Sequence, residues 1–244
     1  MDQFCFSVDT SSPAGSIAIH RFHSNESAEL LATTEWTRKK SHSDVITVLS
    51  QQTLKDAGLS VHDINYFACG CGPGSFTGIR VGLNLVRAFA YATNKPIFTI
   101  NSLRVLAEPS LKNDGPPIYL MMNAFKNLIY FAAYQKKNDI VSEIHSPSAL
   151  TLTQIETSIC TPGLGLGSAI DLYKSDFSEK LNQTLTVDNH KSQYPQALDL
   201  GQICHKNLEK SNLFNWKEAK ALYIRASEAE EKLKDGSLKP APKL

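Results

Sequence analysis

The sequence contains no Cys-x-x-Cys pair; its five cysteines are Cys5, Cys69, Cys71, Cys160 and Cys204. Their odd number and spacing give neither a disulfide framework nor a zinc ligand set. All five read as reduced thiols of a cytosolic protein. No apolar run approaches the roughly 20 residues needed to span a bilayer. The start, Met1-Asp2-Gln3-Phe4, carries an acid where a signal peptide has a basic region. A soluble, cytoplasmic chain with no membrane partner is expected. Excess charge of one sign is also missing, since 25 Lys and Arg face 24 Asp and Glu for a formal net charge of +1. With no global basic field, contact with RNA would be local or made through a partner. The seven histidines include no His-x-x-x-His or His-Glu-x-x-His spacing, and no serine sits in Gly-x-Ser-x-Gly. The usual signatures of metal-dependent and serine-based hydrolysis are therefore absent.

What is present is an ordinary globular composition, 42% hydrophobic and 20% charged over 244 residues, enough for one large core or two moderate ones. Phe4 to Val8, Gly15 to Phe22 and Leu30 to Trp36 alternate as strands, and their short connections imply an antiparallel meander. Ser43 is placed to cap a helix from Asp44 to about Ala57, with Val45, Ile46, Leu49 and Leu54 as its apolar stripe and Gly58 at its end. A capped turn at Ser60 to Asp63, a strand over Ile64 to Ala68, a helix over Ile79 to Thr93, a strand over Pro96 to Ile100 and a helix from Asn101 through Ala107 follow. This order implies an α/β domain with a mixed sheet.

Pro109 to Pro117, with three prolines, a glycine and an Asn-Asp pair, is the linker candidate. Beyond it, strands are expected over Ile118 to Met122, Leu128 to Tyr134 and Ile140 to Ile144. Thr151 or Thr153 opens a short helix. A strand near Ile159 leads into a glycine turn at Gly163, Gly165 and Gly167, followed by helices over Ser168 to Tyr173 and Pro195 to Leu208. Both halves thus run from strands into a glycine turn and a helix, which permits two related lobes. Residues 1–107 form the first, with part of 218–227 packing back on it; residues 108–217 form the second, and 228–244 a solvated tail.

The densest signal lies between Cys69 and Gly82, where Cys-Gly-Cys-Gly-Pro-Gly-Ser-Phe-Thr-Gly-Ile-Arg-Val-Gly holds five of the thirteen glycines. It matches neither a Walker A loop nor a dinucleotide fingerprint, because Gly78 is followed by Ile79-Arg80 and Gly72-Pro73-Gly74 by Ser75-Phe76-Thr77. Gly74, Gly78 and Gly82 recur every fourth residue, on one helical face that can approach another element closely. That neighbour is either the protein's own helix or sheet, or a partner subunit. Arg80 and Arg87 share a second face, suited to phosphate, to an acidic partner or to solvent. Asp9, followed by Thr10, Ser11 and Ser12, either holds a metal and phosphate oxygens or closes a turn.

Cys71 to Gly82 closely resembles the signature of the bacterial TsaB (YeaZ) family, which serves threonylcarbamoyladenosine formation on tRNA. Val8-Asp9-Thr10-Ser11 resembles the family's opening I-D-T-[AS]. Ser41-His42-Ser43-Asp44 leads into the equivalent of its second helix. Asn101-Ser102-Leu103 and Leu222-Tyr223-Ile224-Arg225 match two further segments in order. The resemblance implies an actin-like ATPase (ASKHA, ribonuclease H-like) fold with a degenerate second lobe, and a non-catalytic, dimerising subunit that supports a TsaD-type transferase. It implies an interface at Gly74, Phe76, Thr77, Gly78, Arg80, Val81 and Gly82, with Val45 and Leu49 on the preceding helix. Asp9, Thr10 and Ser11 would be the nucleotide contacts. ATP or ADP with Mg at the subunit junction, a TsaE-type P-loop ATPase, homodimers, and tRNA reached only through the complex complete that expectation. No catalytic residue and no metal ligand is assigned.

One stretch departs from the family. Where its members show D-A-R and then an acidic residue with V-Y, this chain has Asn123-Ala124-Phe125-Lys126-Asn127-Leu128-Ile129-Tyr130. A charged cluster is thereby lost. The competing expectation is an actin-like ATPase or phosphotransferase that uses Asp9 and the glycine turns.

Overall fold

A computed structural model describes residues 2–23, 28–37, 41–188, 192–208 and 213–225; the tail expected over 228–244 lies outside them. The first sheet is built from β1 (Gln3–Asp9), β2 (Ala14–Phe22), β3 (Glu29–Thr37), β4 (Tyr66–Gly70) and β5 (Ile97–Ile100). β1, β2 and β3 form the antiparallel meander, while β4 and β5 continue from β1 in parallel. The second sheet comprises β6 (Ile118–Asn123), β7 (Ile129–Lys137), β8 (Ile140–Leu150), β9 (Gly163–Leu166) and β10 (Leu185–Val187). Its order, β10-β9-β6-β7-β8, repeats the first sheet's β5-β4-β1-β2-β3 with the same strand directions. Each lobe is one copy of a single supersecondary plan.

Strand periodicity decides what each face of the first sheet covers. Phe6, Val8, Ile17, Ile19 and Phe67 point toward α1 (His42–Asp56) and α2 (Phe76–Thr93). Cys5, Phe22, Ala68 and Phe98 point the other way, toward α3 (Ser102–Ala107) and α7 (Ala197–Lys206), where Val105, Leu200, Ile203 and Cys204 close the layer. In the second sheet Tyr119, Met121 and Phe131 pack with Ile155 of α4 (Leu152–Ser158) and Ile170 of α5 (Ala169–Tyr173). Leu181 of α6 (Glu179–Thr184) completes that layer. Leu120, Met122 and Ala132 face Leu103 and Leu106 of α3. The helix α3 is therefore shared, buried between the two sheets.

Several expectations shift. The cap of α1 is Ser41, not Ser43, and it makes no side-chain cap bond. His42 is drawn into the first turn because its Nδ1 accepts from Trp36 Nε1–H at 2.9 Å and its Nε2 bonds the Ser12 carbonyl at 2.9 Å. The helix α2 starts at Phe76, three residues before the apolar stripe, with Ser75 Oγ accepting from the Gly78 amide. Gly163 and Gly165 belong to strand β9 rather than to a turn; only Gly167, at φ +113°, turns the chain. A side chain at Gly163 would run into Tyr119 and the Pro117 carbonyl, so the glycines serve packing. Although α7 and β11 (Leu213–Phe214) lie within residues 108–217, both belong to the first sheet, α7 on its face and β11 beside β5. The elements α6, β10 and β11 carry too few residues to leave a periodic signal.

Candidate functional site

The β1–β2 turn and the start of α2 form one wall of the cleft between the lobes. Asp9 ends β1 with 0% exposure. Its Oδ1 accepts from the Ser11 amide at 2.8 Å and from Ser11 Oγ at 2.7 Å, and its Oδ2 accepts from Ser102 Oγ at 2.8 Å. Burial pushes this carboxyl above the usual range, while the Ser11 and Ser102 bonds and nearby His42 pull it back. The close approach of β4 leaves room only for Gly70 against Oδ2. Both oxygens are turned inward and satisfied, so the group closes a turn and is not presented to a metal.

Thr10 and Ser11 continue this stitching. Thr10 Oγ1 donates to the Gly78 carbonyl at 2.7 Å and accepts from the Gly82 amide at 3.1 Å. The Ser75 amide donates to the Ser11 carbonyl at 2.6 Å. A Cβ at Gly74 would strike Ser11 backbone, one at Gly78 the Thr10 carbonyl, and one at Gly82 would lie 2.5 Å from Thr10 Oγ1. The glycine face is thus occupied by the protein's own β1–β2 turn. The expectation that these three glycines meet a partner helix is corrected: Gly78 and Gly82 are buried within the chain.

The opposite flank of α2 carries a strap formed by residues 216–225. Arg87 Nε donates to the Trp216 carbonyl at 2.7 Å, and Arg80 Nε donates to Tyr223 Oη at 2.8 Å. Arg80 also lies 3.8 Å over the Phe76 ring, which packs against Tyr223 with centroids 4.6 Å apart. The Leu222 amide bonds the Cys71 carbonyl at 2.8 Å. Arg225 Nη1 then crosses to the second lobe and donates to the Ala124 carbonyl at 2.6 Å. The two arginines seven residues apart hold this segment rather than a phosphate.

What remains open on this side is the outer face of α1 and α2. Thr77, Arg80, Asn84 and Ala88 are exposed, while Val45, Leu49 and Val81 are half-buried, the last two against the core of the first lobe. Val48 is 66% exposed and Tyr91 68%. Of the expected interface residues outside the glycines, Thr77 and Arg80 are exposed, and Val45, Leu49, Phe76 and Val81 are half-buried.

Asn123 ends β6, the strand that corresponds to β1, so it is the topological counterpart of Asp9. Its Oδ1 accepts from the Phe125 amide at 2.9 Å. Phe125, Lys126 and Asn127 follow with φ of 60°, 52° and 58°, a left-handed turn that non-glycine residues rarely adopt. This turn projects Phe125, 59% exposed, at the mouth of a cavity of about 490 Å³. The cavity is lined from the first lobe by Ser11, Ser12, Ser75, Phe76 and Ile79, from the second by Met122, Asn123, Lys126, Tyr130 and Ser168, and by strap residues Leu222 to Arg225. No Asp or Glu is among them, and no cluster of His, Cys, Asp or Glu suited to a metal occurs among the described residues. Of the three expected nucleotide contacts only Ser11 lines the cavity, while Asp9 and Thr10 are buried behind it. The sequence marked the glycine stretch but not the strap's aromatic residues, whose partners lie more than a hundred residues away.

Two sheets of one topology across a cleft define an actin-like, ASKHA-type α/β protein. A family model described as TsaD, tRNA N6-adenosine threonylcarbamoyltransferase, matches residues 29–230. The chain is 24% identical over 203 residues to the tRNA threonylcarbamoyladenosine biosynthesis protein TsaB of Escherichia coli, covering 80% of this chain and 85% of that one. It is 26% identical over 199 residues to TsaB of Bacillus subtilis, covering 80% and 84%. The match to TsaB of Buchnera aphidicola from Schizaphis graminum spans 65% of that relative. A solved structure titled YeaZ from Pseudomonas aeruginosa superposes with a TM-score of 0.74 at 21% identity, covering 91% of this chain and 99% of that one. The chain belongs to this transferase family, in its TsaB/YeaZ branch. No described helix is long and apolar enough to cross a membrane.

Proposed function

We propose that this protein takes part in threonylcarbamoyladenosine formation on tRNA as a non-catalytic docking subunit that binds a TsaD-type transferase through the outer face of α1 and α2. The observation that carries this reading is that α1 and α2 pack together and leave Val48 on the one, and Thr77, Asn84 and Ala88 on the other, exposed. Short side chains let a second helix approach closely, and an exposed aliphatic residue gives it apolar area to bury. The same face serves a homodimer when the transferase is absent. A TsaE-type P-loop ATPase and tRNA join through the transferase.

The competing reading, an ATPase that uses Asp9, is disfavoured by the inward geometry of that carboxylate. The deciding experiment is co-purification of the TsaD-type subunit with Val48→Glu and Ala88→Trp variants. Both sites face solvent, so the fold should persist by circular dichroism while association is lost. Full retention of the transferase by both variants would sink the docking reading.

A further inference from the structure

The contact between the first sheet and α7 brings two thiols together. Cys5 on β1 stands opposite His20 on β2 in the strand register, so both side chains leave the same face of the sheet. α7 comes down on that face where Gly201 lies against the His20 ring, a contact that leaves no room for a Cβ. Cys204 follows three residues later, about one turn along the same side of α7. Cys5 and Cys204 are both at 0% exposure in one apolar cluster, and their thiols share a hydrogen bond. Both are free thiols, and no cluster of His, Cys, Asp or Glu among the described residues is suited to a metal that would otherwise account for the pair. This face of the sheet is turned away from α1 and α2, so the pair has no part in docking there.

We propose that Cys5 and Cys204 are a modification site, at which a hydroperoxide converts the pair to a reversible disulfide that fastens α7 to β1. One sulfur, as its proton leaves, attacks a peroxide oxygen; the O–O bond breaks and hydroxide departs with that proton as water. The second sulfur then displaces hydroxide from the sulfenic acid, the S–S bond forms, and the second thiol proton leaves in a second water. The two sulfurs give up two electrons, which the peroxide takes, and a dithiol reductant returns them. Burial first, and the bond with Cys204 second, hold the Cys5 thiol well above its usual range. The closed protein therefore reacts slowly, and oxidation waits on local opening of α7. The product ties residue 5 to residue 204, closing a loop of about 200 residues, and long loops are where a crosslink constrains the unfolded chain most.

The test is treatment of the full chain with hydrogen peroxide, followed by non-reducing peptide mass spectrometry and thermal melts. It is done in a Cys160→Ser background, because Cys160 is exposed. The expected product is a peptide linked through Cys5 and Cys204, two hydrogens lighter than the sum of its reduced halves. Its Tm should rise by about 5 °C or more and return to the starting value with dithiothreitol. Cys5→Ala and Cys204→Ala, each melting in one cooperative transition, should give neither the linked peptide nor the rise. Absence of the linked peptide, whether the two thiols stay reduced or go on to sulfinic acid, would overturn the proposal. So would linkage to Cys69 or Cys71 in equal yield, a linked protein that melts no higher, or an equal rise in Cys204→Ala.

Discussion

The Thr10 hydroxyl lies between the two ends of one helical turn, donating to the Gly78 carbonyl at 2.7 Å while accepting from the Gly82 amide at 3.1 Å. It can do so only because neither residue has a side chain. The glycine spacing on α2 is therefore a lock between two parts of one lobe.

Gly78→Ala should destabilise the protein by about 3 kcal/mol, since the new Cβ meets backbone that is itself tied down. Gly82→Ala should cost less, about 1–2 kcal/mol, because its obstacle is a side-chain hydroxyl. Thr10→Val, which leaves a buried amide and carbonyl without that hydroxyl, should cost about 1–3 kcal/mol. Urea titration of the three variants measures this. Gly78→Ala with wild-type stability would show that the turn and helix part more easily than the packing implies.

Asp9 behaves in this structure as a buried acceptor of three hydrogen bonds. Asp9→Asn keeps an acceptor for Ser11, and Ser102 Oγ can rotate toward the new amide, so stability should change by less than about 1 kcal/mol. Asp9→Ala orphans the donors and should cost about 2 kcal/mol or more. Thermal melts of the pair separate this structural role from a catalytic one, in which both substitutions would leave stability alone and abolish turnover.

His20 gives a pH dependence. It is fully buried on β2 against Gly201, and neither ring nitrogen has a hydrogen-bond partner among the described residues. Burial first, and His205 second, lower its pKa from 6.5 to about 4. The unfolded chain binds this proton more readily than the native one, so stability falls as pH drops from about 6.5 to 4, by up to about 3 kcal/mol. Asp199, pushed up to about 6 by burial and then by Glu108 and Glu35, acts in the opposite sense. Its folded form holds the proton more tightly than the unfolded chain, so it contributes stability that is lost as pH rises through about 6. Urea midpoints between pH 4 and 7 should therefore fall more steeply with acid in Asp199→Asn and less steeply in His20→Leu.

Arg80 and Arg87 should govern the strap. In Arg80→Ala/Arg87→Ala, hydrogen exchange of the Leu222 amide, which bonds the Cys71 carbonyl, should accelerate while amides of β1 and β4 keep their protection. Equal acceleration throughout the lobe would mean that the strap and the sheet open as one unit.

The meander, the α2 helix and the two-lobe repeat were legible because alternation, a long apolar stripe and a glycine punctuator are local signals. Ser43 has the composition of a cap, but α1 starts one residue earlier, where His42 meets Trp36 and Ser12, the latter thirty residues away. The glycine face was legible as a place of close approach, but sequence could not say what approaches. Thr10 and Ser11 precede it by more than sixty residues, on another element. The counterpart relation of Asn123 to Asp9 likewise exists only once β6 and β1 are seen to hold the same place in their sheets.

The layer that covers Cys5, Phe22 and Phe98 comes from α7, and the strand beside β5 comes from residues 213–214. During synthesis the first hundred residues leave the ribosome with that face bare. They cannot complete their sheet until nearly all of the chain has emerged. The first lobe is thus the earlier one made and the later one finished, and a chain ending after the second lobe would leave Cys5, Phe22 and Phe98 without the cover that Leu200, Ile203 and Cys204 provide.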